Sequence, residues 1–98
     1  MGAMLTKAEA LEIVSRKLQE KNTTDDLFVV VDEHTIEKPF GWVFFYNSKK
    51  FVETGIFEYR LAGNGPVIVN KFSGDVEFHG SAEPLEEIIE DYLRKSQG

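Results

Sequence analysis

The stretch from Leu61 to Gly80 constrains this chain more than any other. It reads Leu-Ala-Gly-Asn-Gly-Pro, Val-Ile-Val-Asn-Lys-Phe, Ser-Gly-Asp, then Val-Glu-Phe-His-Gly. Gly63, Asn64 and Gly65 tolerate positive φ, and Pro66 fixes its own φ and lacks a donor, so a sharp bend is expected to open a strand at Pro66. Val67, Val69 and Lys71 then alternate with Ile68, Asn70 and Phe72. Ser73-Gly74 is the expected hairpin turn, with Gly74 left-handed, and Val76 and Phe78 return on the inner face. The glycines also invite a phosphate-loop reading. That loop needs a helix N-terminus after it to hold the anion, whereas a strand follows here, so the turn reading stands.

Around this hairpin lie elements that complete a sheet. Thr6-Lys7-Ala8-Glu9 has the Thr-x-x-Glu spacing of a capping box. It predicts a helix to about Lys21 with Ala10, Leu11, Val14 and Leu18 on one face, and Glu12 paired with Arg16 on the other. Residues 22–26 read as a polar loop. Leu27 to Val31 is a short valine-rich run, expected to be a strand that is central or covered on both faces. Residues 35–40 contain Pro39 and read as a connection. In Gly41-Trp42-Val43-Phe44-Phe45-Tyr46, Trp42, Phe44 and Tyr46 share one face of a strand and Val43 and Phe45 the other. Both faces are apolar, which predicts a central position.

Asn47-Ser48-Lys49-Lys50 reads as a turn and Phe51-Val52-Glu53 as a brief strand. Residues 56–62 alternate weakly and are expected to be a loop or an edge strand. The last element is a helix with Pro84 at its first position and a Leu85, Ile88, Ile89, Tyr92 stripe. Its early acids and late Arg94 and Lys95 match the helix dipole. The expected fold class is α+β: an N-terminal helix, an antiparallel sheet of about four strands with a hairpin near Ser73-Gly74, and a C-terminal helix packed on the sheet.

The 98 residues fit a single domain, with 42% hydrophobic residues and eight phenylalanines to fill one core. Residues 1–5 read as an unstructured or vector-derived leader, with the natural start at Met4, and residues 96–98 as a frayed end. Glycine second and threonine sixth match a myristoylation pattern, but Gly-Ala-Met before a second methionine reads more simply as an added leader. No apolar run is long enough to span a bilayer and the start lacks a signal sequence. With no cysteine, a disulfide framework and a thiolate site are excluded, and a reducing cytoplasm fits.

A net charge of -6 has the wrong sign for binding phosphate backbones or anionic membranes, so no nucleic-acid or membrane partner is expected. It suits a basic protein partner, or solubility alone. His34 and His79 form no spaced metal motif, and no Gly-x-Ser-x-Gly elbow supports Ser48, Ser73 or Ser81 as a nucleophile. Paired acids such as Asp25-Asp26, Asp32-Glu33 and Glu86-Glu87 have nothing local to desolvate them. The aromatic set around Trp42 has no basic residue between its members and reads as core rather than as a base-stacking platform. No catalytic residue, metal or cofactor is expected.

The residues Gly41 to Tyr46, Glu53-Thr54-Gly55, Leu61-Ala62-Gly63-Asn64-Gly65-Pro66, the Ser73-Gly74 hairpin, and Pro84-Leu85-Glu86-Glu87 with Tyr92 resemble the immunity protein 35 family, also called the YrhB domain. The resemblance runs from Thr6 to Leu93. It implies a small bacterial α+β domain that neutralises a cognate polymorphic toxin by binding, with papain-like peptidases among the toxin classes. The shared positions are turn and core residues, with Trp42, Gly63, Asn64, Gly65, Pro66 and Gly74 structural, and they carry over no catalytic residue. Two surfaces are then candidates for partner binding: Phe57, Tyr59 and Arg60 in the irregular segment, and Glu86, Glu87 and Glu90 on the last helix. A chaperone-like or structural binding module is the alternative, and an enzyme of this fold needs a deep pocket with a pair such as His79 and a carboxylate.

Overall fold

The computed structural model describes residues 4–21, 27–60, 64–80 and 82–97. The capping box opens the first helix: the Thr6 N–H donates to Glu9 Oε1 at 2.9 Å and the Glu9 N–H donates to Thr6 Oγ1 at 3.2 Å. Helix α1 (Lys7–Lys21) follows and buries Ala10, Val14 and Leu18 completely, while Glu12 and Arg16 pair on its exposed side.

Four strands make the main sheet, β2 (Ile36–Lys38), β3 (Gly41–Phe44), β5 (Asn64–Asn70) and β6 (Val76–Gly80), in the order β2-β3-β5-β6 with every pair antiparallel. The strands β1 (Phe28–Val30) and β4 (Tyr46–Ser48) form a separate two-stranded ribbon. Helix α3 (Leu85–Gln97) ends the described chain.

Alternation along the central strands sorts side chains onto two apolar faces. Trp42, Phe44, Val67 and Val69 pack with the buried face of α1, with Phe28, Val30, Tyr46, Val76 and Phe78 around them. Val43 and Ile68 pack with Phe40 and with Ile88 and Tyr92 of α3, flanked by Phe45, Leu85 and Ile89. The sheet is therefore covered on both faces, one by α1 with the ribbon and the other by α3. Asn70 Nδ2 donates to the Tyr92 hydroxyl at 2.9 Å, and the Phe40 and Tyr92 rings lie 4.8 Å apart, which fixes α3 on its face.

The hairpin forms with a longer loop than the sequence suggests. Asn70 ends the strand, and its Oδ1 accepts from the Phe72 and Ser73 N–H groups at 2.9 and 3.0 Å. Gly74, at φ +79°, donates to the Asn70 carbonyl at 2.8 Å. Lys71 and Phe72 thus belong to the turn, not the strand.

Other expectations need correction. Asn64, Gly65 and Pro66 open β5 instead of bending before it, while Gly63 lies outside the described residues, as do residues 22–26. The glycine at 65 serves close approach: a Cβ there would stand 2.2 Å from the Gly80 carbonyl oxygen. Pro66 lies beyond the residues of β5 paired with β3 and inside a bulge against β6, where its missing donor costs no ladder bond. Residues 36–38 form β2 within the predicted connection, because Ile36 and Lys38 pair with Val43 and Gly41 before Pro39 ends the strand. The run at 27–31 is a half-exposed strand of the ribbon, not a central one. Residues 47–50 are split between β4 and a helix, and Phe51-Val52-Glu53 is helical within α2 (Lys49–Thr54). Leu5 belongs to the fold, since its N–H donates to the Lys71 carbonyl at 2.9 Å. Pro84 stands just before α3, with its carbonyl accepting from the Ile88 N–H at 3.2 Å.

Candidate functional site

The segment from Ser48 to Arg60 is built on one hydroxyl. Ser48 is 3% exposed and is the sole buried polar side chain among the described residues. Its Oγ accepts from the Phe51 N–H at 3.0 Å, capping α2, and donates to the Tyr59 carbonyl at 2.6 Å. The Lys49 N–H donates to the Leu27 carbonyl at 2.7 Å, tying the start of α2 to the ribbon. Gly55 closes the helix by donating to the Phe51 carbonyl at 2.7 Å. A 3-10 turn, Phe57–Tyr59, follows where a loop or edge strand was expected, with the Tyr59 and Arg60 N–H groups donating to the Ile56 and Phe57 carbonyls at 3.0 Å each. Hydrogen bonds thus fix the conformation of this arm even though its outer surface faces solvent.

That surface carries four large apolar side chains among Glu53, Thr54, Glu58 and Arg60. Phe57 is 74% exposed, Ile56 47%, and Val52 and Tyr59 43% each. Arg60 lies over the Phe57 ring at 5.8 Å and Lys50 over the Tyr59 ring at 5.5 Å, which holds both aromatic side chains beside a cation. A groove of about 470 Å³ runs along the arm, lined by Val31, His34, Phe45, Phe51, Val52 and Arg60 among others. Exposed apolar side chains that cluster, as here, mark interaction surfaces, whereas singly scattered ones do not.

Glu86, Glu87 and Glu90 are exposed on α3, a different element, and among the described residues no ion pair or ring contact joins them to Phe57, Tyr59 or Arg60. Glu86 and Glu87 stand in the first helical turn, where the dipole favours negative charge, so they have a reason within the fold. The Phe57 and Ile56 side chains, by contrast, expose apolar area that the fold does not bury. Trp42 lies 5% exposed in the core beside Phe44, their rings 6.5 Å apart.

A histidine–carboxylate pair does occur. His79 Nε2 stands 3.3 Å from Glu77 Oε1 at a cleft of about 200 Å³ that Asp91 and Lys95 also line. Sites for small organic molecules usually enclose about 300–1,000 Å³, so this cleft is undersized for one. Among the described residues, no three side chains of the metal-binding types converge. Elsewhere, the Lys7 ammonium, 3.1 Å from Asp32, and the Thr35 hydroxyl hold the Asp32 carboxyl below its usual range, and burial raises the Tyr46 phenol. No helix of the described residues is long and apolar enough to cross a membrane.

Sequence reasoning gave Ser48 no role. The signal is the three-residue spacing from Ser48 to Phe51, but residue 51 is no Glu or Gln, so the box that announces α1 is absent here.

Comparison with known proteins gives this geometry a context. No solved structure matches the chain. The uncharacterized protein YrhB of Escherichia coli (strain K12) is 48% identical over 52 residues, a match covering 53% of this chain and 55% of that protein. The family model for immunity protein 35 matches residues 8–94, nearly the whole described fold from α1 to α3. The chain belongs to the immunity protein 35 family.

Proposed function

We propose that the protein neutralises a cognate bacterial toxin by binding it, with the Ser48–Arg60 arm at the centre of the interface. The observation that carries this reading is the exposure of Phe57, Ile56, Val52 and Tyr59 on a segment whose backbone is already hydrogen-bonded in place. Anchors in tight interfaces are typically aromatic or arginine side chains, and pre-formed ones bind without the entropy cost of ordering a loop. An interface of usual size buries about 800 Å² on each partner, so the arm supplies the centre and its surroundings the rim. The net charge of -6 and the acidic face of α3 at Glu86, Glu87 and Glu90 favour fast encounter with a basic toxin. Family membership supports the toxin partner, and a papain-like peptidase is the class its resemblance suggests. On this reading the protein is an inhibitor, not an enzyme, and acts in the cytoplasm where the toxin would harm its producer.

Co-expression with the product of the neighbouring toxin gene tests the proposal. A stoichiometric complex on co-purification and rescue of cells expressing that toxin are the expected results. Failure of both overturns it. The same apolar arm also suits a chaperone-like module that holds unfolded chains. Suppressed aggregation of several unrelated clients, with no specific partner, would identify that activity.

A further inference from the structure

We infer that the outer edge of β6 pairs with β6 of a second copy of this chain, in a two-fold antiparallel contact centred on Phe78. The strand order leaves two edges on the main sheet. At one, β2 is three residues long and runs into Pro39, which blunts it against further pairing. At the other, β6 runs for five residues with neither proline nor lysine.

The hydrogen-bond phase of the hairpin shows what this edge presents. The Asn70 N–H donates to the Asp75 carbonyl at 3.0 Å, so these two residues face each other as a hydrogen-bonded pair. Such pairs alternate with open ones along an antiparallel ladder. Ile68–Glu77 is then hydrogen-bonded, whereas Val69–Val76 and Val67–Phe78 are open. The N–H and C=O groups of Val76 and Phe78 therefore point away from β5. Among the described residues, no backbone group outside the sheet bonds to them.

Avoidance of opposed acids selects the register of a second β6 against this edge. Centring the two-fold on Phe78 places Val76 opposite Gly80 and Glu77 opposite His79, at an open position where side chains lie closest. Sliding to the next register of the same phase sets Glu77 against Glu77, and the one after sets Asp75 against Glu77. Only the register centred on Phe78 pairs an acid with an imidazole on both sides of the axis, which makes the strand self-complementary as a two-fold contact requires. Lys21 already covers the Phe78 ring, 4.6 Å from its centroid, and His79 Nε2 is buried 3.3 Å from Glu77 of its own strand. The backbone pairs therefore carry the association, and the placing of Glu77 beside His79 across the axis sets its register. The inference stands on the β6 edge alone and does not depend on toxin binding.

Sedimentation velocity on the full chain at neutral pH, from about 5 to 500 μM, tests it. The expected result is a concentration-dependent dimer. Glu77→Lys and His79→Glu should each weaken it about tenfold, and the swapped double variant Glu77→His/His79→Glu should restore it to within about threefold. Far-UV circular dichroism checks each fold. Should His79→Glu fail to fold, Glu77→Lys, at a more exposed side chain, decides. A monomer throughout the range overturns the inference, and so does a dimer indifferent to Glu77→Lys.

Discussion

The centre of the sheet and the Ser48–Arg60 arm spend apolar side chains in opposite ways. In β3 and β5, Phe44, Val43, Val67, Ile68 and Val69 are fully buried between the two helices, and each touches partners on its own face. In the arm, residues 52–60 are all exposed, and its conformation rests on hydrogen bonds with Ser48 at their hub. The first arrangement places hydrophobic free energy in stability. The second leaves it available for a partner, since apolar surface still in water gains only when something else covers it.

Substitutions in the two regions should therefore separate stability from binding. The largest effect belongs to the core: Phe44→Ala should cost about 3–5 kcal/mol in chemical denaturation, because it empties a site closed on both sides. Gly65→Ala should follow, at about 2–3 kcal/mol, since its Cβ meets the Gly80 backbone, which can move only by shifting β6. Ser48→Ala removes a helix cap and leaves the Tyr59 carbonyl without its donor. A loss of about 1–2 kcal/mol is expected, with faster hydrogen exchange at Phe51 as the local signature. Equal exchange at Phe51 in both proteins would break the contrast, because the arm would then owe its shape to something else.

The smallest effect concerns pH. The Lys7 and Thr35 contacts lower the Asp32 pKa in the folded state, so they contribute stability above the ordinary carboxylate value, about 3.9, which fades as pH falls through the lower folded value. Lys7→Ala should thus lower the melting temperature slightly at neutral pH and leave it unchanged in strong acid. The pair is exposed, so the shift is small and should shrink in salt.

What the sequence made legible follows the same division. Helix α1 was readable from Thr6, Glu9 and the Ala10, Val14, Leu18 spacing, and α3 from Leu85, Ile88 and Tyr92, because periodic burial leaves a periodic pattern. The two apolar faces of Gly41 to Tyr46 likewise indicated a strand covered on both sides, as β3 is, but that strand ends at Phe44, and Tyr46 opens β4 in the separate ribbon instead of continuing it. The helix α2 was not legible. Its six residues are too few for a helical stripe, and Phe51-Val52 suits a strand by propensity. Its decisive contact joins Ser48 to a carbonyl eleven residues away, which no local spacing records. Phe57, Tyr59 and Arg60 stood out only as residues that fit no pattern; their exposure and the cations beside their rings required the fold.

The central claim is that the arm binds without holding the fold together. Phe57→Ala tests it most directly, by calorimetric titration against the toxin that co-purification with the proposed partner would identify, alongside thermal melting. The account predicts an affinity at least about tenfold weaker with stability within about 0.5 kcal/mol of the parent protein, since Phe57 is 74% exposed. Unchanged affinity, or a loss matched by an equal fall in stability, would contradict it.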